Sequence, residues 1–268
     1  MSANTSLAEF SPWTVIAGGS EGVGACFAER LAQQGVNLVL VARKPGPLED
    51  LAQSIRTAYG VQVRTLSFDL GKSDAADALA KACGDIEVGG LIYNAGAAHG
   101  LAPLLDQPLD YILSLMRLNV ETQVRIIHHF GKRMRARRSG AILLLGSGAG
   151  AGGAANIAGY AAAKAYVHTL AEGLWREMRP HGVKVLCLIL GLTRTPAMAR
   201  AGFSMDSNEF QADEPDNVAK TGLERIGDGP IHAMDSIRPN IERLNKLSRR
   251  EVVESLSLST EGLVQAPS

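Results

Sequence analysis

Short apolar runs alternate with stretches of helical periodicity from Trp13 to Leu190, and this alternation constrains the fold more than any single motif. Trp13 to Ala17, Val36 to Val41, Val61 to Phe68, Val88 to Tyr93, Ala141 to Leu145 and Val183 to Leu190 each have the length of a buried strand. Helical patterns lie between them. Ala25 to Gln34 is closed by Gly35, and Leu48 to Ala58 has Pro47 near its start and Gly60 after it. Ser73 is placed to cap a helix running through Cys83. Leu109 to Arg137 reads as one long helix, and Ala158 to Met178 as another, stopped by Pro180. A strand–helix–strand order predicts a mostly parallel sheet with helices on both faces and right-handed crossovers. Pro230 to Ala233 would add a short last strand, flanked by helices at Asn217 to Ile226 and Pro239 to Leu256. The expectation is one α/β domain over residues 1–268, a doubly wound, seven-stranded sheet. Residues 1–11 and 257–268 carry little pattern and are expected to be flexible. The polar, irregular segment 195–214 is expected to form a lid over a substrate.

Composition supports this and removes other classes. Apolar residues make up 46% of the chain but aromatic ones only 5%, so the core must be built from Ala, Leu, Val and Ile. The 27 basic and 27 acidic residues balance, so no global field draws nucleic acid or an anionic membrane. The one dense basic run, Lys132, Arg133, Arg135, Arg137 and Arg138, lacks interleaved aromatics and suits the C-terminal end of a helix. Cys26, Cys83 and Cys187 form no CxxC pair, so neither a disulfide framework nor a metal site is implied. With no signal peptide pattern at Met1 to Ser11 and no uninterrupted apolar run of membrane length, a cytoplasmic protein is expected.

The first strand runs directly into Ala17-Gly18-Gly19-Ser20-Glu21-Gly22-Val23-Gly24, and a helix follows. Glycine permits positive φ in the tight turn and lets backbone approach a phosphate, while the helix offers free N–H groups and the positive end of its dipole. The spacing departs from G-x-G-x-x-G, so the turn gains its meaning from its place in a βαβ unit of Rossmann type. Gly18, Ser20, Gly22, Val23 and Gly24 are therefore candidate contacts for a dinucleotide pyrophosphate. The second strand ends in Ala42-Arg43-Lys44, with no acidic residue to accept from a ribose 2′-hydroxyl. Arg43 favours a 2′-phosphate, hence NADP(H) over NAD(H). Glu21, near the same pocket, would repel that phosphate and keeps NAD(H) open.

Tyr160 and Lys164 share a helix face by their spacing, and Ser147 lies just past the fifth strand, at the carboxyl edge where ligands sit in open α/β sheets. Over roughly Trp13 to Pro196 the chain resembles the classical short-chain dehydrogenase/reductase family. The resemblance rests on the glycine turn, Asp69-Leu70 after the third strand, Asn94-Ala95-Gly96 after the fourth, Asn119 in the long helix, Ser147, and Tyr160-x-x-x-Lys164. It implies that Tyr160 exchanges a proton with the substrate oxygen, that Ser147 hydrogen-bonds the same oxygen, and that Lys164 bonds the nicotinamide ribose. It further implies that Asn119 holds a water linking Lys164 to solvent. One ammonium at ~5 Å favours a phenolate by roughly 3 kcal/mol at an effective dielectric of ~20. The resemblance places Asp69 and Leu70 at the adenine, Asn94, Ala95 and Gly96 along its ribose, and Thr193 and Thr195 at the carboxamide and phosphates.

Where family members carry Pro-Gly after the sixth strand, this chain has Leu190-Gly191, which puts the geometry of the following loop in question. The C-terminal part also diverges. Met198, Phe203, Met205 and Phe210 suggest an apolar ketone or alcohol as substrate, or equally lid packing, and His99 is a weaker candidate. The expected activity is a hydride-transferring alcohol dehydrogenase or carbonyl reductase acting on CH–OH with NAD(P). A dinucleotide sensor without turnover would need a broken Asn119, Ser147, Tyr160 and Lys164 set, and a sugar-nucleotide epimerase would need a second substrate domain. By resemblance, the long helix 109–137 and helix 158–178 form the seam of a homodimer or homotetramer, with Ala161, Ala162, Ala163 and Ala165 allowing close approach.

Overall fold

The computed structural model describes residues 7–10, 12–96, 100–200 and 211–265. The strands and helices in chain order are β1 Trp13–Ala17, α1 Gly22–Ala32, β2 Asn37–Ala42, α2 Pro45–Tyr59, β3 Val63–Ser67, α3 Ala75–Ala82 and β4 Val88–Tyr93. They continue as α4 Leu109–Met116, α5 Thr122–Arg137, β5 Gly140–Ser147, α6 Ala158–Met178, β6 Val183–Leu190, α7 Pro196–Arg200 and α8 Pro215–Glu224. The last are β7 Ile231–Ala233, α9 Arg238–Leu244 and α10 Arg249–Gln265. The strands form one seven-stranded sheet in the order β3-β2-β1-β4-β5-β6-β7, every pair parallel. The order reverses between β1 and β4, and that switch point opens a crevice beyond their carboxyl ends.

Strand residues divide by parity between two cores, as a pleated strand requires. Ile16, Leu38, Leu40, Ile92, Leu143 and Leu186 face one side, where Phe27, Leu31, Leu48, Ile55 and Val218 from α1, α2 and α8 cover them. Val15, Val39, Leu91, Ile142, Leu144 and Val185 face the other, under Leu79, Ile126, Phe130, Val167 and Ala171 from α3, α5 and α6. A strand buried on both faces reads as an unbroken apolar run, which is why these strands were visible in the sequence. Cys83 and Cys187 lie inside this core, and burial pushes their thiols up to about 11 and about 12, so they stay protonated and inert. Cys26 is half-buried against the first core.

Several boundaries differ from the sequence reading, each for a local reason. α1 begins at Gly22, inside the glycine turn, and Gly35 (φ +79°) closes it as expected. α2 begins at Pro45, whose fixed φ and missing N–H suit the first helical position. Ser73 does not cap α3: Asp74 holds that position, with no side-chain cap bond, while the Ser73 carbonyl accepts from Arg125 at 2.7 Å. The long helix is α4 and α5 joined by a π turn over Arg117–Glu121, in which the Thr122 N–H reaches back to the Arg117 carbonyl. The charged stretch from Pro239 is two helices, and α10 continues through 257–265, which showed no apolar pattern in the sequence. Among the described residues no helix is long and apolar enough to cross a membrane.

Candidate active site

The glycine turn occupies the switch point. Gly18 (φ +84°) and Gly19 both donate to the Val41 carbonyl, at 2.8 and 3.1 Å, which ties the turn to β2. Asn94, at the end of β4, donates from Nδ2 to the Gly18 carbonyl at 2.8 Å, bridging the crevice from its other side. The glycines are needed for close approach. A Cβ on Gly24 would lie 1.9 Å from the Gly18 carbonyl oxygen, and one on Gly18 would lie 2.9 Å from the Ala95 nitrogen. Ser20, Gly22, Val23 and the Gly24 N–H sit where the first turn of α1 leaves donors without helical acceptors. Arg43 is exposed just beyond β2, and the Ser67 hydroxyl donates to its carbonyl at 3.2 Å. Asp69 is half-buried and accepts from the Gly71 N–H at 2.9 Å, an Asx turn within its own loop rather than a cap on α3; Leu70 is buried beside it.

Around α6 the structure brings the four expected catalytic side chains onto neighbouring elements. The Lys164 ammonium is only 6% exposed and donates to the Leu145 carbonyl at 2.9 Å; it lies 5.7 Å from the centre of the Tyr160 ring. Ser147 ends β5, and its Oγ accepts from the Ala149 N–H at 3.3 Å in the turn that follows. Asn119 sits in the π turn, 2% exposed, with Nδ2 donating to the Leu115 carbonyl at 3.0 Å. Its Oδ1 is buried without a hydrogen-bond partner among the described residues. A Cβ on Gly96 would fall 2.5 Å from that oxygen and 3.3 Å from Lys164 Nζ, so Gly96 keeps open the one space those two groups share. The π turn is what aims Asn119 there, and nothing in the helical periodicity signalled it.

Other site features were also missed. His168, one turn beyond Lys164, packs its ring between two glycines: a Cβ on Gly146 would lie 2.8 Å from Nε2, and one on Gly150 2.6 Å from Cε1. Burial and the Lys164 charge push this imidazole down to about 4, although it is bonded to the Ser147 backbone. Beside Tyr160 a recess opens between Leu104, Tyr111, Ile112, Leu115 and Ile157, with Gln107 as a polar group in its wall. The apolar face of α4 that lines it was visible in the sequence, but its direction was not. Of the residues first considered for substrate contact, Met198 lies in α7, while His99, Phe203, Met205 and Phe210 lie outside the described residues. The far end of the chain supports the same region: Ala155 donates its N–H to Ser257 Oγ at 3.0 Å and accepts at its carbonyl from Thr260 Oγ1 at 2.8 Å.

The loop after β6 keeps a defined shape without the proline. Thr193 and Asp213 form a parallel bridge, with Arg194 N–H to Asp213 O at 2.9 Å and Asp213 N–H to Leu192 O at 2.8 Å. Thr193 is thereby buried at 6% exposure, its Oγ1 without a partner among the described residues. Thr195 accepts at Oγ1 from the Met198 N–H at 3.2 Å and touches Gly22, where a Cβ would lie 3.1 Å from Thr195 Cγ2. Glu21 is met by Arg200 of α7, which donates Nη1 to Oε2 at 3.0 Å and Nη2 to Oε1. A nicotinamide dinucleotide fits this edge: the glycine turn is a cradle that side chains would fill, and Thr193 Oγ1 and Asn119 Oδ1 are buried polar atoms in want of a partner.

The chain is similar to known proteins over most of its length. A family model described as short chain dehydrogenase matches residues 12–204. The 7beta-hydroxysteroid dehydrogenase of Clostridium sardiniense is 30% identical over 251 residues, covering 92% of this chain and 95% of its own. A solved structure bearing on 7beta-hydroxysteroid dehydrogenase stereoselectivity matches with a TM-score of 0.86 at 25% identity, over 94% of this chain and 99% of that one. A short-chain dehydrogenase from Sphingobium yanoikuyae in complex with NADPH matches with a TM-score of 0.77 at 29% identity, over 96% of both chains.

Proposed function

The chain belongs to the short-chain dehydrogenase family, and from that premise we propose that it is an NADP(H)-dependent oxidoreductase interconverting an apolar secondary alcohol and its ketone. The observation that carries the reading is the convergence of Tyr160, buried Lys164, the unpartnered Asn119 Oδ1 and Gly96 beside an apolar recess. The dinucleotide, when bound, supplies or accepts the hydride. The Tyr160 hydroxyl gives its proton to the carbonyl oxygen in reduction and takes one from the alcohol in oxidation. The Ser147 hydroxyl donates a hydrogen bond to the same oxygen, which stabilises charge developing there. The buried Lys164 ammonium stands beside the Tyr160 ring, and its two donors not used by Leu145 are free to hold a ribose hydroxyl. Asn119 Oδ1 is the natural acceptor for a water that returns protons from solvent to Lys164.

Gly18, Ser20, Gly22, Val23 and Gly24 would hold the pyrophosphate, Arg43 the 2′-phosphate, Asp69 and Leu70 the adenine, Asn94 to Gly96 its ribose, and Thr193 and Thr195 the nicotinamide end. The recess walls support an apolar substrate, and the hydroxysteroid relative a bulky one. A lid role for segment 195–214 is part of this proposal, though its residues 201–210 lie outside the described residues. The test is a thermal-shift comparison of NADPH with NADH, followed by a panel of cyclic and long-chain ketones with the better dinucleotide. Larger stabilisation by NADPH and turnover of an apolar ketone are expected. Larger stabilisation by NADH overturns the cofactor reading, and preference for small polar carbonyls overturns the substrate class.

A further inference from the structure

Glu21 is the one acidic residue of the glycine turn, and a lone carboxylate there would oppose a phosphate-bearing ligand. It is not alone. Arg200 reaches it across 179 residues of sequence, with its two terminal guanidinium nitrogens donating to the two carboxylate oxygens. The pair sits at the rim, with side chains 40% and 51% exposed. α7 is seated on the turn by a second contact, since Thr195 stands 3.1 Å from where a Gly22 Cβ would be. Arg200 is the strongest influence holding the Glu21 carboxyl below the usual carboxylate range, and Lys44 and Arg43 from the end of β2 act on it in the same direction. One anion and three cations thus gather at the mouth of the dinucleotide crevice.

The geometry decides which cation takes the anion. A carboxylate is an internal mimic of a phosphate, and an unpaired Glu21 would compete for Arg43 and Lys44. A guanidinium bound through two bonds holds its partner in one orientation, which a single ammonium cannot do. We propose that Arg200 is a specificity-determining residue: by engaging Glu21 from α7 it leaves Arg43 and Lys44 free for the 2′-phosphate of NADP(H). This rests on the cofactor reading above, and it assigns a selectivity role to a residue that lies outside the turn, outside β2 and outside the catalytic set.

Binding decides the matter without any turnover. NADPH and NADH are titrated by calorimetry against the wild type, Arg200→Gln, Glu21→Gln and the double variant, with a melting curve for each to establish folding. Arg200→Gln is expected to weaken NADPH by about tenfold while changing NADH by less than about twofold, because only the former brings charge to Arg43. Glu21→Gln should bind NADPH at least as tightly as the wild type. The double variant should regain most of the affinity that Arg200→Gln loses, since removing the anion removes the need for its partner. Equal weakening of both dinucleotides, or a double variant as weak as Arg200→Gln, overturns the role of Arg200. A wild type that binds NADH more tightly than NADPH overturns the cofactor reading itself, whatever the variants do.

Discussion

Tyr160 and His168 sit two turns apart on α6 in opposite surroundings. Tyr160 lines the recess with the Lys164 ammonium 5.7 Å from its ring centre, and in the proposed reaction its hydroxyl exchanges a proton with the substrate. Replacing it with Phe removes one oxygen and leaves the glycine turn intact, so turnover should fall by about 10²–10⁴-fold with NADPH affinity nearly unchanged. Full turnover of a true substrate by Tyr160→Phe would contradict the assignment. His168 is shut away from protons. Its imidazole is pushed down to about 4 by burial, against roughly 6.5 in the unfolded chain. Above the unfolded value neither state binds the proton and the group has no effect. As pH falls through that window only the unfolded chain takes it, which costs the fold about 2 kcal/mol by pH 5. Urea unfolding at pH 7 and pH 5 should therefore show a smaller acid loss in His168→Asn than in the wild type, by about that amount. Burial lowers His129 and His232 as well, so both proteins will lose some stability. Equal losses in the two would refute the His168 contribution.

At the scale of elements, contacts between backbones set the site. α1 can begin inside the glycine turn only because Gly24 has no Cβ to meet the Gly18 carbonyl at 1.9 Å. Gly24→Ala should push the helix off the turn, lowering stability by about 1–3 kcal/mol and reducing the melting-temperature rise produced by NADPH. An unchanged rise would show that the turn does not hold the pyrophosphate. α10 works at the other end of the site. Its Ser257 and Thr260 fasten Ala155, and Val252 lies 2.5 Å from where a Gly152 Cβ would be. That loop leads to Asn156 and Ile157 in the recess wall. A Ser257→Ala, Thr260→Val double variant should raise KM for the ketone several-fold with kcat and NADPH affinity little changed; a fall in kcat alone would show that the clasp does not act on the substrate wall. Helix 158–178 was legible to the residue because its alanine-rich face and Pro180 speak locally. The π turn at Asn119 was not, because a single widened turn leaves the apolar period of α4 and α5 almost undisturbed.

For the molecule as a whole, the sheet order places the carboxyl ends of β1, β4 and β5 side by side, so a turn, an Asn-Ala-Gly segment and a serine distant in sequence face one crevice. The surface beyond it is not fully covered. Leu109 and Leu113 of α4 and Tyr166 of α6 are 67%, 48% and 37% exposed. Of the four alanines considered for a seam, Ala161 and Ala163 pack inside the subunit, while Ala162 and Ala165 remain accessible. A second copy joined through this face would cover the exposed apolar groups. Size-exclusion chromatography at micromolar concentration is expected to give a dimer or larger species; a monomer would refute the seam.

The sequence alone determined the alternation of strand and helix, the parallel sheet, and the shared face of Tyr160 and Lys164 on one helix. Each of these rests on spacing within one element, where pleat and helical pitch translate order along the chain into direction in space. Tertiary structure decided what depended on distant partners. It turned Glu21 from a repelling charge into half of an ion pair with Arg200, left Asn119 Oδ1 and Lys164 sharing the space beside Gly96, and brought the patternless end of α10 onto the loop beyond Ser147. No local period records such contacts, because a polar side chain has the same signature whether it faces water or a partner many turns away.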